Sequence, residues 1–270
     1  MIVSHQPVAP LAPYIEKFWY CEEYLAVHRK ERVLPSGRFQ LIIHLTDAFA
    51  RQQDFAPGET RLPSPMLVAG MRSRFGIVDT TILRSVIGVV FRPGGARPFF
   101  YELAHCFYNV TVPLDQVWGS TASDLRDRLR EASTAAARFR VLEIALLARL
   151  KRPFQLHSSV RYALGKFTQA PHIDSVIDVT REAGLSRRRL AQLFREQVGI
   201  TPKLYCRLHR FQRVLQQITS GVPVDWADVA LGGGYYDQAH MNHEFYDFSG
   251  ISPVTYLASN PRSLTHVPID

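Results

Sequence analysis

FREQVGITPKLY, Phe194 to Tyr205, returns as FYDFSGISPVTY, Phe245 to Tyr256, with Phe, Gly, Ile, Pro and Tyr kept in place and Thr exchanged for Ser. Each copy reads as the end of one helix and the start of the next. Gly199 and Gly250 stand where helix-terminating glycines stand, and Thr201-Pro202 and Ser252-Pro253 supply a capping hydroxyl followed by a first-turn proline. Upstream, DVTREAGLS from Asp178 aligns with DVALGGGYY from Asp228 at an offset of fifty, whereas Phe194 and Phe245 differ by fifty-one. One extra residue therefore falls between Gly234 and Phe245, and it is assigned to GYYDQ, because a turn or helix start tolerates insertion better than a packed helix centre.

The repeated unit is a helix-turn-helix followed by a capped helix. In the first copy, IDSVIDVTREAG is one helix, Gly184 ends it, and Ser186 caps the next, RRRLAQLFREQV. HSSVRYALGKF supplies a helix ahead of these, and PKLYCRLHRFQRVLQQI, 202 to 218, joins the copies. Its seventeen residues span roughly 25 Å. The modules are set at 158–200 and 222–257.

On a wheel of 100° per residue, Leu190, Leu193, Phe194 and Val198 gather on one side of the helix after Ser186, and Arg188, Gln192 and Arg195 on the other. The first set is a core stripe. The second suits a helix lying in the major groove of double-stranded DNA, where Arg donates twice to guanine and Gln pairs with adenine. Ser186, Arg187 and Arg189 stand at the helix N-terminus, where phosphates bind. The competing reading of RRR is a solvated charged face. Arg181 to Arg213 holds nine basic and two acidic residues, a local charge of +7, which favours the DNA-binding reading.

The second copy keeps the apolar side, with Met241, Phe245 and Phe248, but replaces Arg188, Gln192 and Arg195 by Ala239, His243 and Tyr246. Between Val222 and Tyr256 there is no Lys or Arg, against Asp225, Asp228, Asp237, Glu244 and Asp247. Gln238, Asn242 and His243 remain candidates for base contact, with a small or unfavourable electrostatic share.

The first hundred residues read differently. Short apolar runs, FQLIIHL, MLVAG and SVIGVVF, are separated by APGET, LPSP and RPGGARP, the pattern of an antiparallel sandwich or barrel. From Ser123 the period becomes helical, in DLRDRLREA and ARFRVLEIALLARL, until KRPF, 151–154, breaks it. The expected fold is α+β: a β-rich domain with trailing helices over 1–152, then an all-α domain over 156–260. Within the first, Arg38 and His44 either line a ligand cavity or are a surface charge and a satisfied core histidine. FRPGG, with Arg92, is either an anion-binding loop or a tight turn between strands.

At 270 residues with 46% hydrophobic content, the chain is long enough for two such cores. Its net charge of +8 points to polyanions only weakly. Cys21, Cys106 and Cys206 are odd in number and lack zinc spacing, so neither a disulfide framework nor a metal site is expected and a reducing cytoplasm fits. MIVSHQPVAPLAP lacks a leader pattern, and no apolar run is long enough for a membrane span. His240 and His243, three apart, have no third metal ligand nearby in sequence. No catalytic motif or cofactor loop stands out, so no enzyme and no cofactor are expected. The alternative is a DNA-targeted enzyme with Cys21 or Cys106 as nucleophile.

AGLSRRRLAQLFREQVGITPKLY and GGYYDQAHMNHEFYDFSGISPVTY closely resemble the AraC/XylS family of bacterial transcription regulators, over about residues 158 to 257. The resemblance implies a seven-helix domain whose two recognition helices enter successive major grooves, behind an N-terminal domain that senses a small-molecule effector or forms a homodimer. RNA polymerase is a further expected partner, with the sign of regulation, activator or repressor, left open by the residues. The chain departs from the family at His243, where an Arg is common, and at Tyr246, often basic. VLPSGRFQLIIHL, GVVFRPGGARPFF and LDQVWG are similar to a poorly characterised domain found ahead of such modules.

Overall fold

The computed structural model describes residues 2–23, 28–46, 64–150, 154–169, 176–261 and 263–269. The APGET cluster, Leu62 and Pro63 of LPSP, the break at Lys151 to Pro153 and the start of the IDSVIDV helix lie outside these residues.

The fold is α+β. Strands β1 (Ile2–His5), β2 (Ile15–Glu22), β3 (Lys30–Val33), β4 (Phe39–His44), β5 (Met66–Ala69), β6 (Gly76–Asp79), β7 (Ser85–Phe91) and β8 (Thr111–Pro113) come first, all pairing antiparallel. Six of them form one sheet in the order β1-β2-β7-β4-β5-β8. Central β7, SVIGVVF, is buried from Val86 to Phe91, as its near-continuous apolar run requires. Helices α1 (Leu114–Trp118), α2 (Thr121–Glu131) and α3 (Ala135–Arg149) follow. Phe139, Leu142 and Leu146 of α3 join Leu125 and Leu129 of α2 in the same core as Phe18, Leu41 and Phe91 of the sheet. The recurrence at three and four residues is thus the stripe that covers the sheet.

Helices α4 (Ser158–Gln169), α5 (Val176–Glu182), α6 (Arg187–Val198), α7 (Pro202–Ile218), α8 (Trp226–Gly232), α9 (Gln238–Ser249) and α10 (Pro253–Ala258) build the second core. Caps fix their ends. Ser186, Thr201, Asp237 and Ser252 each accept a bond from a backbone N–H of the first turn. Gly199 and Gly250 close α6 and α9 at φ values of 105° and 68°, in the left-handed region that favours glycine. The extra residue sits where the offset change put it: α5 and α8 end at Glu182 and Gly232, α6 and α9 begin at Arg187 and Gln238, and the turn between is one residue longer in the second copy.

Over 156–260 the described elements are all helices, as expected, and a strand follows them. Beyond α10 the chain turns back and forms β9 (His266–Ile269), which pairs with β3 in a second sheet, β6-β3-β9. Val267 is buried in the helical core together with Leu34 and Met71 from the N-terminal part, so the two cores meet along this small sheet. HVPI is four residues of mixed polarity and carries no period of its own, so only its tertiary pairing makes it a strand.

Candidate nucleic-acid interface and a cavity between the sheets

Helix α6 buries Leu190, Leu193, Phe194 and Val198 and leaves Arg187, Arg188, Arg189, Gln192 and Arg195 exposed. Ser186 Oγ accepts from the Arg189 N–H at 3.2 Å, which fixes the start of the helix. Arg189 donates to Gln192 Oε1 at 3.2 Å and Gln192 Nε2 donates to Glu196 at 2.9 Å, a ladder that orders the glutamine along the helix. No ion pair engages Arg187, Arg188 or Arg195 among the described residues. One row therefore carries two unpaired guanidinium groups with an oriented amide between them.

On α9 the corresponding exposed row is Ala239, His243 and Tyr246, with Gln238 and Asn242 exposed beside it. Its acidic residues are largely spent on structure. Asp225 and Asp237 cap helices, and Glu244, only 3% exposed, accepts from Arg207 at 2.7 Å, from Arg210 at 3.1 Å and from the Tyr235 hydroxyl at 3.0 Å. Asp247 takes the second arm of Arg207 at 3.1 Å. Burial and the neighbouring Glu244 charge raise the Tyr235 hydroxyl pKa, which keeps it a donor. Burial works against the Arg207 charge, but Glu244 and Asp247 outweigh it and raise its pKa.

This changes the reading of the +7 stretch. Arg181 pairs with Asp178, Arg207 and Arg210 are turned onto Glu244, and Arg213 donates to the Gln169 carbonyl. The basic surface narrows to α6 and Lys203. Sequence reasoning missed the Glu244 anchor. Its signal was a carboxylate on the apolar side of the wheel, beside Met241, Phe245 and Phe248.

In the N-terminal part, a cavity of about 150 Å³ lies between the two sheets. Trp19, Ile42, Leu67, Val78 and Ile82 give it apolar walls, and Arg38, His44 and Arg72 reach its surface. Arg38 is an ion-pair partner of Glu16 at 2.6 Å rather than a loose surface charge. His44 is 1% exposed, and Nδ1 donates to the Ile82 carbonyl at 3.0 Å. Burial, with Arg126 nearby, lowers its pKa to about 4, so the ring is neutral. Arg72, unremarked in the sequence, donates to Thr111 Oγ1 at 2.6 Å. Burial also lowers its pKa.

Arg92 does not line this cavity. FRPGG is a tight turn in which the Gly95 N–H bonds the Arg92 carbonyl, and exposed Arg92 reaches the Ala12 carbonyl at 2.9 Å. Cys21 is buried, and burial raises its thiol pKa, the wrong direction for a nucleophile, whereas Cys106 is exposed. Among the described residues no group of His, Cys, Asp and Glu could hold a metal, and no helix is long and apolar enough to cross a membrane.

Residues 179–259 match the family described as helix-turn-helix domain, and residues 3–113 match a domain of unknown function, DUF6597. No curated protein matches the chain by sequence. Among solved structures, ToxT from Vibrio cholerae is similar at 9% identity, covering 96% of this chain and 97% of that one with a TM-score of 0.43. A ToxT structure from Vibrio cholerae O395 is similar at 10% identity, with 95% of each chain covered and a TM-score of 0.40. The C-terminal region therefore carries a helix-turn-helix domain, behind an N-terminal DUF6597 domain.

Proposed function

We propose that this chain, carrying an AraC-type helix-turn-helix domain, is a sequence-specific regulator that grips double-stranded DNA with two unequal recognition helices and responds to a small-molecule effector. The observation that carries the reading is the exposed row of Arg188, Gln192 and Arg195 on α6, with no acidic partner on either arginine among the described residues. Arg188 and Arg195 suit guanine edges and Gln192 an adenine edge, while Ser186, Arg187 and Arg189 hold phosphates at the helix start. On α9, Gln238, Asn242 and His243 read bases with less electrostatic help.

The effector reading rests on the cavity between the two sheets. A space of this size holds a molecule of about the bulk of benzene. One of its walls touches the helical domain as well. Pro35 lines the cavity and its carbonyl accepts from Gln212 of α7 at 2.5 Å, while Thr265 and His266 line it at the start of β9. A ligand pressing on Pro35 therefore bears on α7, the helix that joins the two modules. In this reading residues 1–152 sense the effector and 156–260 bind DNA. Exposed Ile144 and Leu147 on α3 support a homodimer, and RNA polymerase is the machinery on which such a regulator acts.

Selection by the full-length chain from a pool of random duplexes tests the proposal. The enriched sites are expected to hold two short blocks about one helical turn, roughly 10 bp, apart, the block under α6 being the more sharply defined. Recovery of duplexes with no common sequence would overturn it.

A further inference from the structure

The second module has no lysine or arginine of its own, yet cations stand along its flank, and the N-terminal domain supplies them. The Phe75 N–H bonds the Phe248 carbonyl at 3.0 Å, seating the segment before β6 on the end of α9. The approach is close: a Cβ at Gly250 would lie 2.3 Å from Phe75 Cε1 and 3.0 Å from an Arg32 guanidinium nitrogen. Arg32 of β3 lies over the Phe75 ring at 4.7 Å from its centroid, which limits its freedom.

Between this segment, the first turns of α7 and the end of α9 runs an open groove of about 940 Å³. Arg32, Arg74, Lys203 and Arg207 line it, with Asp247 the acidic group. Arg207 and Asp247 pair with each other, so three cations, from both domains, face the groove without an acidic partner among the described residues. Gathering like charges without a counter-charge is unfavourable, and a bound polyanion reverses the sign. Tyr246 lines the groove too, and it belongs to the exposed α9 row with Ala239 and His243. The groove thus continues the surface on which the second module faces DNA.

We propose that this groove receives the phosphate backbone beside the second half-site, so that Arg74 and Arg32 of the N-terminal domain, with Lys203, make the backbone contacts that module two lacks. The inference rests on the DNA-binding reading above and adds the N-terminal domain to the interface. Backbone contacts position the protein without reading sequence, and each adds about one to the salt dependence of binding.

The test is fluorescence anisotropy of the full-length chain on a selected duplex and on an unrelated duplex, from 50 to 200 mM salt. Arg74 is exposed and makes no internal bond among the described residues, so Arg74→Ala and Arg74→Glu leave the fold intact. Arg74→Ala is expected to weaken binding to both duplexes alike, roughly three- to ten-fold, and to lower the salt slope by about one; Arg74→Glu weakens it further. Lys203→Ala acts in the same direction. If the Arg74 variants bind as wild type while Arg188→Ala alters base preference, the groove proposal is wrong and the DNA-binding reading stands. If neither position affects binding, both are wrong.

Discussion

Glu244 of α9 lies 3.1 Å from Arg210 of α7, and the same carboxylate bonds Arg207 and Tyr235. This contact fixes the second module on the linking helix, and through that helix sets its position relative to the first. A buried carboxylate with three donors is costly to disturb from one side only, because the buried Tyr235 hydroxyl and the half-buried Arg210 then lose the acceptor that offsets their burial.

Glu244→Ala is therefore expected to destabilise the chain by about 3 kcal/mol, at the lower end for a buried pair because Arg207 is partly solvated. Urea unfolding measures this, and a change below about 1 kcal/mol would show that the contact is not an anchor. Replacing Glu244, Arg207 and Arg210 together by apolar residues should recover much of the loss.

Ser186→Ala removes the cap of α6 and should cost about 1 kcal/mol. Hydrogen exchange gives the local reading: faster exchange at the Arg189 amide, with α9 unchanged.

Two histidines predict a loss of stability in mild acid. Burial, with Arg38 and Arg213 nearby, lowers the His209 pKa to about 4, and burial does the same for His44. Both titrate near 6.5 when unfolded. Below that value the unfolded chain takes up protons that the folded chain refuses. Stability is fully present above about pH 6.5 and falls as the pH drops towards 4, by up to roughly 3 kcal/mol per histidine. The slope of unfolding free energy against pH between 6.5 and 4 should flatten in His209→Gln. An unchanged slope would contradict the assignment.

A chain ending at Asn260 lacks β9. Loss of buried Val267 and of the strand paired to β3 should lower stability by about 2 kcal/mol. Amide exchange at Lys30–Val33 should quicken, since β3 becomes an edge, while the far strand β1 keeps its protection. Unchanged exchange at β3 would mean the tail is not a structural strand.

The helical half was the more legible in the sequence because its determinants are local. Ser186, Thr201 and Ser252 cap the helices they precede, Gly199 and Gly250 end the helices before them, and the one-residue offset falls in the turn. The exposed row of α6 follows from a 100° wheel alone. Long-range partners were not legible. Arg207 and Arg210 look like part of a DNA-facing patch until Glu244, more than thirty residues away, is brought against them. β9 has no period, and Arg72 becomes notable only when the chain just after β5 brings it beside Thr111 of β8 at one cavity. Arg74 near the second module is a fact of tertiary packing that no spacing announces.

In the proposed function, α6 reads bases through Arg188 and Gln192. The most direct measurement is the affinity of wild type and of Arg188→Ala for the selected duplex and for single-base variants of the block under α6, at one fixed salt concentration. Arg188→Ala is expected to lose about 1–3 kcal/mol of discrimination at one base pair while keeping its preference elsewhere in the site. Equal losses on every duplex, or none on any, would contradict it.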